Sequence, residues 1–284
     1  MTILRVEKLN KRYEKFHLKD VSFTLEKGYI MGFIGVNGAG KTTTIKSMLN
    51  MVHKDSGAVE MLDMDYSKNE IELKKEIGYM FGGVDFYPKK KIRLITDVVK
   101  RFYPNWDDET YLHYCKRFNL DQDKKVDELS AGMKVKYSLA LALSHNARLF
   151  LLDEPTSGLD PAARDNILEL FQEMVEDGEK SILFSTHITS DLEKCADFIT
   201  YIDEGELISS STRDDFLSSY KIVKGTQNQL TEAVADTMIA VKNTSFGFSG
   251  LIKTQDMIPG SGLTVEPPTL EDIMIYHARR NNNE

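Results

Sequence analysis

Residues 35 to 42 read Gly-Val-Asn-Gly-Ala-Gly-Lys-Thr, and the stretch fits Gly-x4-Gly-Lys-[Ser/Thr] without remainder. The spacing has a physical reason. Glycines let the backbone wrap tightly around an anion with its N–H groups turned inward. The helix that follows aims the positive end of its dipole at the same anion. Lys41 can then reach the β- and γ-phosphates of a nucleotide, and the Thr42 hydroxyl can hold a magnesium ion. The flanks agree. Residues 29–34, Tyr-Ile-Met-Gly-Phe-Ile, suit a short buried strand. After the loop, Ile45, Met48, Leu49 and Val52 fall at helical spacing. A Gly-rich surface turn could carry the same residues, but the strand–loop–helix order argues against it.

Two further strands end in chemistry. Leu149-Phe150-Leu151-Leu152-Asp153-Glu154 is four apolar residues followed by two acids. A buried strand ending there sets Asp153 at the edge of the sheet beside the loop, where it can bind magnesium directly or through water. Glu154 can take a proton from an attacking water. His187 follows the strand residues Ile182–Thr186, where it can hydrogen-bond a γ-phosphate. A lone histidine is usually structural; its position after two phosphate-site strands shifts the reading.

The rest of the chain frames these motifs. Its 284 residues, 41% hydrophobic and 28% charged, suit one large soluble domain plus a small one. No apolar run reaches the roughly 18–20 residues that span a bilayer, and the first residues lack the form of a secretion signal. Net charge is −8, with 44 acidic against 36 basic residues, which argues against a broad nucleic-acid surface. Lys89-Lys90-Lys91 with Arg93 reads as a solvated cluster. Cys115 and Cys195 fit no metal or redox spacing and read as free thiols in a reducing cytosol.

Residues 3–6 and 20–26 suggest an antiparallel β layer, with Val21, Phe23 and Leu25 on one face. Residues 86–147 change character. Leu94, Val98, Val99 and Phe102 are helically spaced, Tyr103–Trp106 breaks that helix, and Asp107 can cap the next, whose apolar face includes Tyr111, Leu112 and Cys115. Asp160-Pro161 opens another helix with its stripe at Ile167, Leu168, Phe171, Met174 and Val175, ended by Gly178. Asp203-Glu204-Gly205 turns a hairpin. Beyond about residue 219 comes a small α/β appendage, ending in a helix capped by Thr269 and a frayed tail, Asn281-Asn282-Asn283.

Leu129-Ser130-Ala131-Gly132-Met133 precedes the acidic strand, and Ser157-Gly158-Leu159-Asp160 follows it. With the loop at Gly35, Asp153, Glu154 and His187, this order resembles the nucleotide-binding subunit of ABC (ATP-binding cassette) transporters over residues 1 to about 218. The tail Pro268–Met274 resembles the end of some bacterial exporter ATPases. The resemblance implies an α/β fold: a P-loop NTPase core with an antiparallel β layer, a helical signature subdomain at about 86–147, and a small C-terminal α/β domain at 219–284.

It also implies roles. ATP and magnesium are the expected ligands. Tyr13 matches the aromatic that stacks on adenine, although a tyrosine packed at a strand end would look the same. Gly35, Asn37, Gly38, Ala39, Gly40, Lys41, Thr42 and Thr43 hold the phosphates; Thr42 and Asp153 hold the metal. Glu154 is the base, assisted by His187 and Lys41. Ser130, Ala131 and Gly132 contact the γ-phosphate of ATP bound to an opposite subunit, and Asp160 couples the two sites. The expected assembly is a head-to-tail homodimer at the cytoplasmic face of the membrane, docked near Gly82 and Phe86 on a separate transmembrane permease, with no nucleic acid. The cargo implied is a peptide or antibiotic-like amphipath, of the phenol-soluble-modulin exporter type.

Two departures stand out. The usual signature, Leu-Ser-Gly-Gly-Gln, here has Ala131 and Met133. The strand Ile77–Phe81 normally leads to a glutamine that touches magnesium, and Gly82 holds that place. Asp85 is the nearby candidate substitute. Two other readings differ in class: a cytosolic ABC ATPase that remodels nucleic acid or ribosomes, and a nucleotide sensor with little turnover. The first usually carries two cassettes, a coiled coil or a basic linker, and this chain has none of these. The second rests on Gly82 alone.

Overall fold

The computed structural model describes residues 1–83, 85–257 and 262–282. The chain divides into two compact units, Met1–Ile208 and Ser209–Glu284.

The first unit begins with β1 (Thr2–Arg12), β2 (His17–Glu26) and β3 (Ile30–Ile34). Helix α1 (Lys41–Met48) follows, then β4 (Ser56–Met61), β5 (Met64–Asp65), α2 (Tyr66–Glu76) and β6 (Ile77–Phe81). A helical stretch holds α3 (Ile92–Val99), α4 (Asp108–Arg117) and α5 (Ala131–Leu143). The chain then alternates through β7 (Leu149–Asp153), α6 (Pro161–Val175), β8 (Ser181–Thr186), α7 (Thr189–Cys195), β9 (Phe198–Asp203) and β10 (Glu206–Thr212).

These strands form one ten-stranded sheet in the order β5-β4-β1-β2-β10-β9-β3-β8-β7-β6. Strands β9, β3, β8, β7 and β6 are parallel, whereas β1, β2, β4 and β5 pair antiparallel. The antiparallel layer is therefore continuous with the core, joined where β10 meets β2 at Glu206 and Lys19. Every residue of β3, β7 and β8 is buried, as expected of parallel strands covered on both faces. Each large apolar side chain there contributes roughly 1.5–3 kcal/mol. Because β8 lies between β3 and β7, the ends of all three carry their motifs to one edge. The register pairs Ile34 with Thr186, and Asp153 with Ser185.

The helical stretch corrects part of the sequence reading. Helix α3 buries Ile92, Ile95 and Thr96, while Leu94, Val98 and Phe102 are exposed. Leu112, expected on the inner face of α4, is also exposed; Tyr111 and Cys115 are inside. The Thr96 hydroxyl donates to Tyr111 Oη and lies 2.9 Å from Tyr137 Oη, binding α3, α4 and α5 through one buried network. That polar knot fixes which side of α3 faces inward. Asp107 caps α4 by accepting from Glu109 N–H. The basic cluster is paired: Lys89 with Asp127, and Lys91 and Arg93 with Asp123. Both cysteines are buried, and Cys195 Sγ donates to the Asp191 carbonyl.

In the second unit, α8 (Arg213–Ser218), β11 (Tyr220–Gly225), α9 (Glu232–Ala235), β12 (Met238–Thr244), β13 (Gly247–Lys253), β14 (Thr264–Glu266) and α10 (Leu270–Asn282) follow in order. The strands form an antiparallel sheet, β12-β13-β11-β14. Helix α10 buries Leu270, Ile273, Met274, Tyr276 and His277. Thr269 caps it by accepting from Asp272 N–H, and Asp272 accepts from Thr269 N–H in return. Asn281 and Asn282, expected to fray, belong to α10; Asn283 lies outside the described residues. No helix among the described residues is long and apolar enough to cross a membrane.

Candidate functional site

The loop between β3 and α1 is shaped by two glycines in particular. A side chain at Gly35 would run into the Ile202 carbonyl of neighbouring β9. Gly40 has φ +116°, in the left-handed half of backbone space, and a Cβ there would meet Phe16 at 2.8 Å. Lys41 donates to the carbonyl oxygens of Gly35 (2.7 Å) and Val36 (3.3 Å), so its ammonium is held over the loop. Burial lowers the Lys41 pKa from its ordinary value, and the carboxylates of Glu154 and Asp153 oppose that shift.

Asp153 closes β7 and is buried. Thr42 Oγ1 donates to its Oδ2 at 2.8 Å, and Ser185 Oγ donates to its Oδ1 at 2.5 Å. Both carboxylate oxygens are thus aimed. Ser185 also accepts from the Glu154 N–H. Sequence reasoning missed Ser185; its signal was its place in the strand that must lie beside Asp153.

Glu154 has φ +51°, a strained conformation for a non-glycine residue before proline. That turn directs its carboxylate toward His187, whose Nδ1 lies 2.9 Å from Oε2. The other oxygen, Oε1, lies 3.8 Å from Lys41 Nζ. The acid therefore has the histidine at one oxygen and the lysine near the other.

These groups line a cavity of about 830 Å³. Its lining includes Asn37, Gly38, Gly40, Lys41, Thr42 and Thr43 of the loop and helix start, and Glu154, Ser157 and His187. Tyr13, Lys15 and Phe16 line it too; Lys15 and Phe16 were missed because nothing in their spacing marks them. Lys11 lies over the Tyr13 ring at 5.4 Å and is held by Asp55. Gly35 and Ala39 are buried in the loop, outside the lining.

Asp153 lies outside the lining, behind Thr42, and Ser130, Ala131, Gly132 and Asp160 are not brought to the cavity. Ser130 caps α5, accepting from Met133 N–H, and is exposed with Ala131. Gly132 packs against Gly158 and Leu159. Asp160 caps α6 by accepting from Ala163 N–H. Asp85, the candidate substitute for glutamine, is absent from the lining too; its carboxylate pairs with Lys134 of α5 at 2.6 Å. Gly82 has φ +61° and open space around it, and its N–H donates to the Asp153 carbonyl at 3.1 Å.

The family described as ABC transporter matches residues 18–157. The ABC transporter ATP-binding protein YtrB of Bacillus subtilis (strain 168) is 34% identical over 203 residues, covering 72% of this chain and 69% of that protein. The linearmycin resistance ATP-binding protein LnrL of the same organism is 31% identical over 223 residues, covering 76% and 71%. Among solved structures, an ATP-binding subunit of an ABC transporter superposes with a TM-score of 0.68 at 26% identity, covering 75% of this chain and 91% of that one. The phosphate loop, the acid-ended strand and these likenesses agree: this chain belongs to the ABC transporter ATP-binding proteins, the subunits that bind and hydrolyse ATP.

Proposed function

We propose that the cavity lined by the phosphate loop binds MgATP and that Glu154 acts as the general base of its hydrolysis. The observation that carries this is that Lys41, Thr42, Glu154 and His187 line one cavity, with Asp153 hydrogen-bonded to Thr42 behind it. The loop N–H groups and Lys41 bind the phosphates; Tyr13 stacks on the adenine. Glu154 accepts the proton of the attacking water, and His187 holds Glu154 in place and faces the γ-phosphate. Positioning and preorganised charge carry most of such a reaction.

Magnesium fits the donor set. Thr42 and Asp153 present a hydroxyl and a carboxylate oxygen side by side, the hard oxygen donors that magnesium prefers. Bound there, it would neutralise charge on the β- and γ-phosphates. Chelating the metal is expected to lower turnover at least about a hundredfold and to return it on adding MgCl2. Steady-state phosphate release checks this; undiminished turnover in chelator would reject the metal site.

The signature residues Ser130, Ala131 and Gly132 serve a second copy. ABC ATPase domains work as dimers and pair with transmembrane subunits. The exposure of Ser130 and Ala131, at a helix N-terminus suited to an anion, supports a head-to-tail dimer whose ATP lies between the loop of one copy and Ser130 of the other. Asp160, at the head of α6, is assigned to coupling the two sites. Its place at the cytoplasmic face of the membrane comes through the permease.

Permease docking is assigned to the groove of about 490 Å³ whose lining includes Phe86, Tyr87, Leu94 and Val98. An apolar groove with exposed aromatics suits the apolar face of a helix. Leu94→Asp combined with Val98→Asp is expected to abolish co-purification with the transmembrane subunit while leaving basal turnover within about twofold. Retained co-purification would move docking elsewhere. The name of the linearmycin resistance relative supports an antibiotic-like amphipath as cargo.

A further inference from the structure

Asp191 on α7 is only 1% exposed, a burial that carboxylates rarely tolerate without partners. Its Oδ2 accepts a 2.6 Å hydrogen bond from the Thr156 hydroxyl, itself fully buried. Its Oδ1 lies 3.9 Å from Arg164 Nε on α6. That nitrogen has no hydrogen-bond partner among the described residues.

The placement of the partners gives the pair its meaning. Thr156 lies two residues after Glu154, and Asp191 four after His187. The first turn closes on itself through Ser157 N–H to the Glu154 carbonyl, and the second through Ile188 N–H to Thr186 Oγ1. At the strand ends the turns meet through Glu154 N–H and Ser185. On the far side, Thr156–Asp191 ties them. Glu154, in its strained left-handed conformation, sits between these two ties with its carboxylate on His187.

We infer that Asp191 is a positioning residue for ATP hydrolysis, cross-tying the Glu154 turn to the His187 turn through Thr156 and anchoring both on Arg164. This rests on the proposed roles of Glu154 and His187. It also explains a residue that stability alone disfavours, since an apolar side chain fills such a site at least as well as a buried charge. Burial pushes the Asp191 carboxyl above its ordinary range. The Thr156 hydroxyl, Arg164, Lys194 and His187 oppose that shift. Folding therefore favours protonated Asp191, and the ionised form weakens the fold as pH rises through the shifted pKa.

Four variants of the full chain test the tie. Thr156→Val keeps the size and removes the donor. Asp191→Leu fills the space and removes the acceptor. Both are expected to lower kcat about ten- to a hundredfold while KM for ATP stays within about twofold. Asp191→Asn and Thr156→Ser keep the hydrogen bond and are expected to retain kcat within about threefold. A folded Asp191→Leu protein with wild-type kcat overturns the inference, as does an equal loss in Thr156→Val and Thr156→Ser. Glu154→Gln is run beside them. If it turns over at the wild-type rate, the base assignment fails; if it is inactive while Thr156→Val and Asp191→Leu are active, only the tie fails.

Discussion

Glu154→Gln is expected to lower ATP turnover by about 10²–10⁴-fold, the range for loss of a positioned general base. The amide keeps the size of the side chain and a hydrogen bond to His187, now 2.9 Å from Glu154 Oε2, but it cannot accept the proton of water. Binding should survive, because no phosphate contact is assigned to this group. Equilibrium binding of ATP within about threefold of wild type, with turnover lost, is the expected pattern. Equal turnover in the two proteins would remove Glu154 from the base role. Gly82 does not alter the forecast. Its backbone is tied to the Asp153 carbonyl, and it contributes no side chain to the groups assigned to the chemistry.

Lys41→Met should damage function at both stages. A charge-assisted contact to phosphate is worth roughly 1.5–3 kcal/mol, so Kd for ATP should rise about 10- to 150-fold. The same ammonium faces charge that grows on the γ-phosphate, so kcat should fall at least about a hundredfold as well. Stability should follow a different course. Burial lowers the Lys41 pKa, meaning the folded state disfavours its charge relative to the unfolded chain. That deficit is present while the lysine is charged in both states, and it lessens as pH rises above the lowered folded pKa. Methionine removes it, offsetting the lost bonds to Gly35 and Val36. Melting within a few degrees of wild type, measured without nucleotide, is expected. A large drop in melting temperature would make Lys41 chiefly a structural element of the loop.

Legibility tracked how local each feature is. The loop, its strand and its helix were readable because anion binding by backbone N–H groups dictates residues at fixed spacing. Asp153, Glu154 and His187 were readable as strand ends, and the sheet order β3-β8-β7 brought them together. What escaped depends on contacts between distant segments. Ser185 on Asp153 spans 32 residues and Asp191 on Thr156 spans 35; no spacing rule reports either. Helix α3 is apolar on two sides, so periodicity could not choose between Ile92–Ile95–Thr96 and Leu94–Val98. The buried hydroxyls of Tyr111 and Tyr137 made that choice. Asp85 looked available for magnesium until its partner, Lys134, became visible.

Each copy presents a phosphate loop on one surface and, outside that cavity, an exposed Ser130 at the head of α5. Sedimentation of the Glu154→Gln protein with and without MgATP tests most directly whether these halves belong to one shared site. A monomer that becomes a dimer on adding ATP, and not ADP, is the expected result; a monomer at every concentration with ATP bound would contradict it.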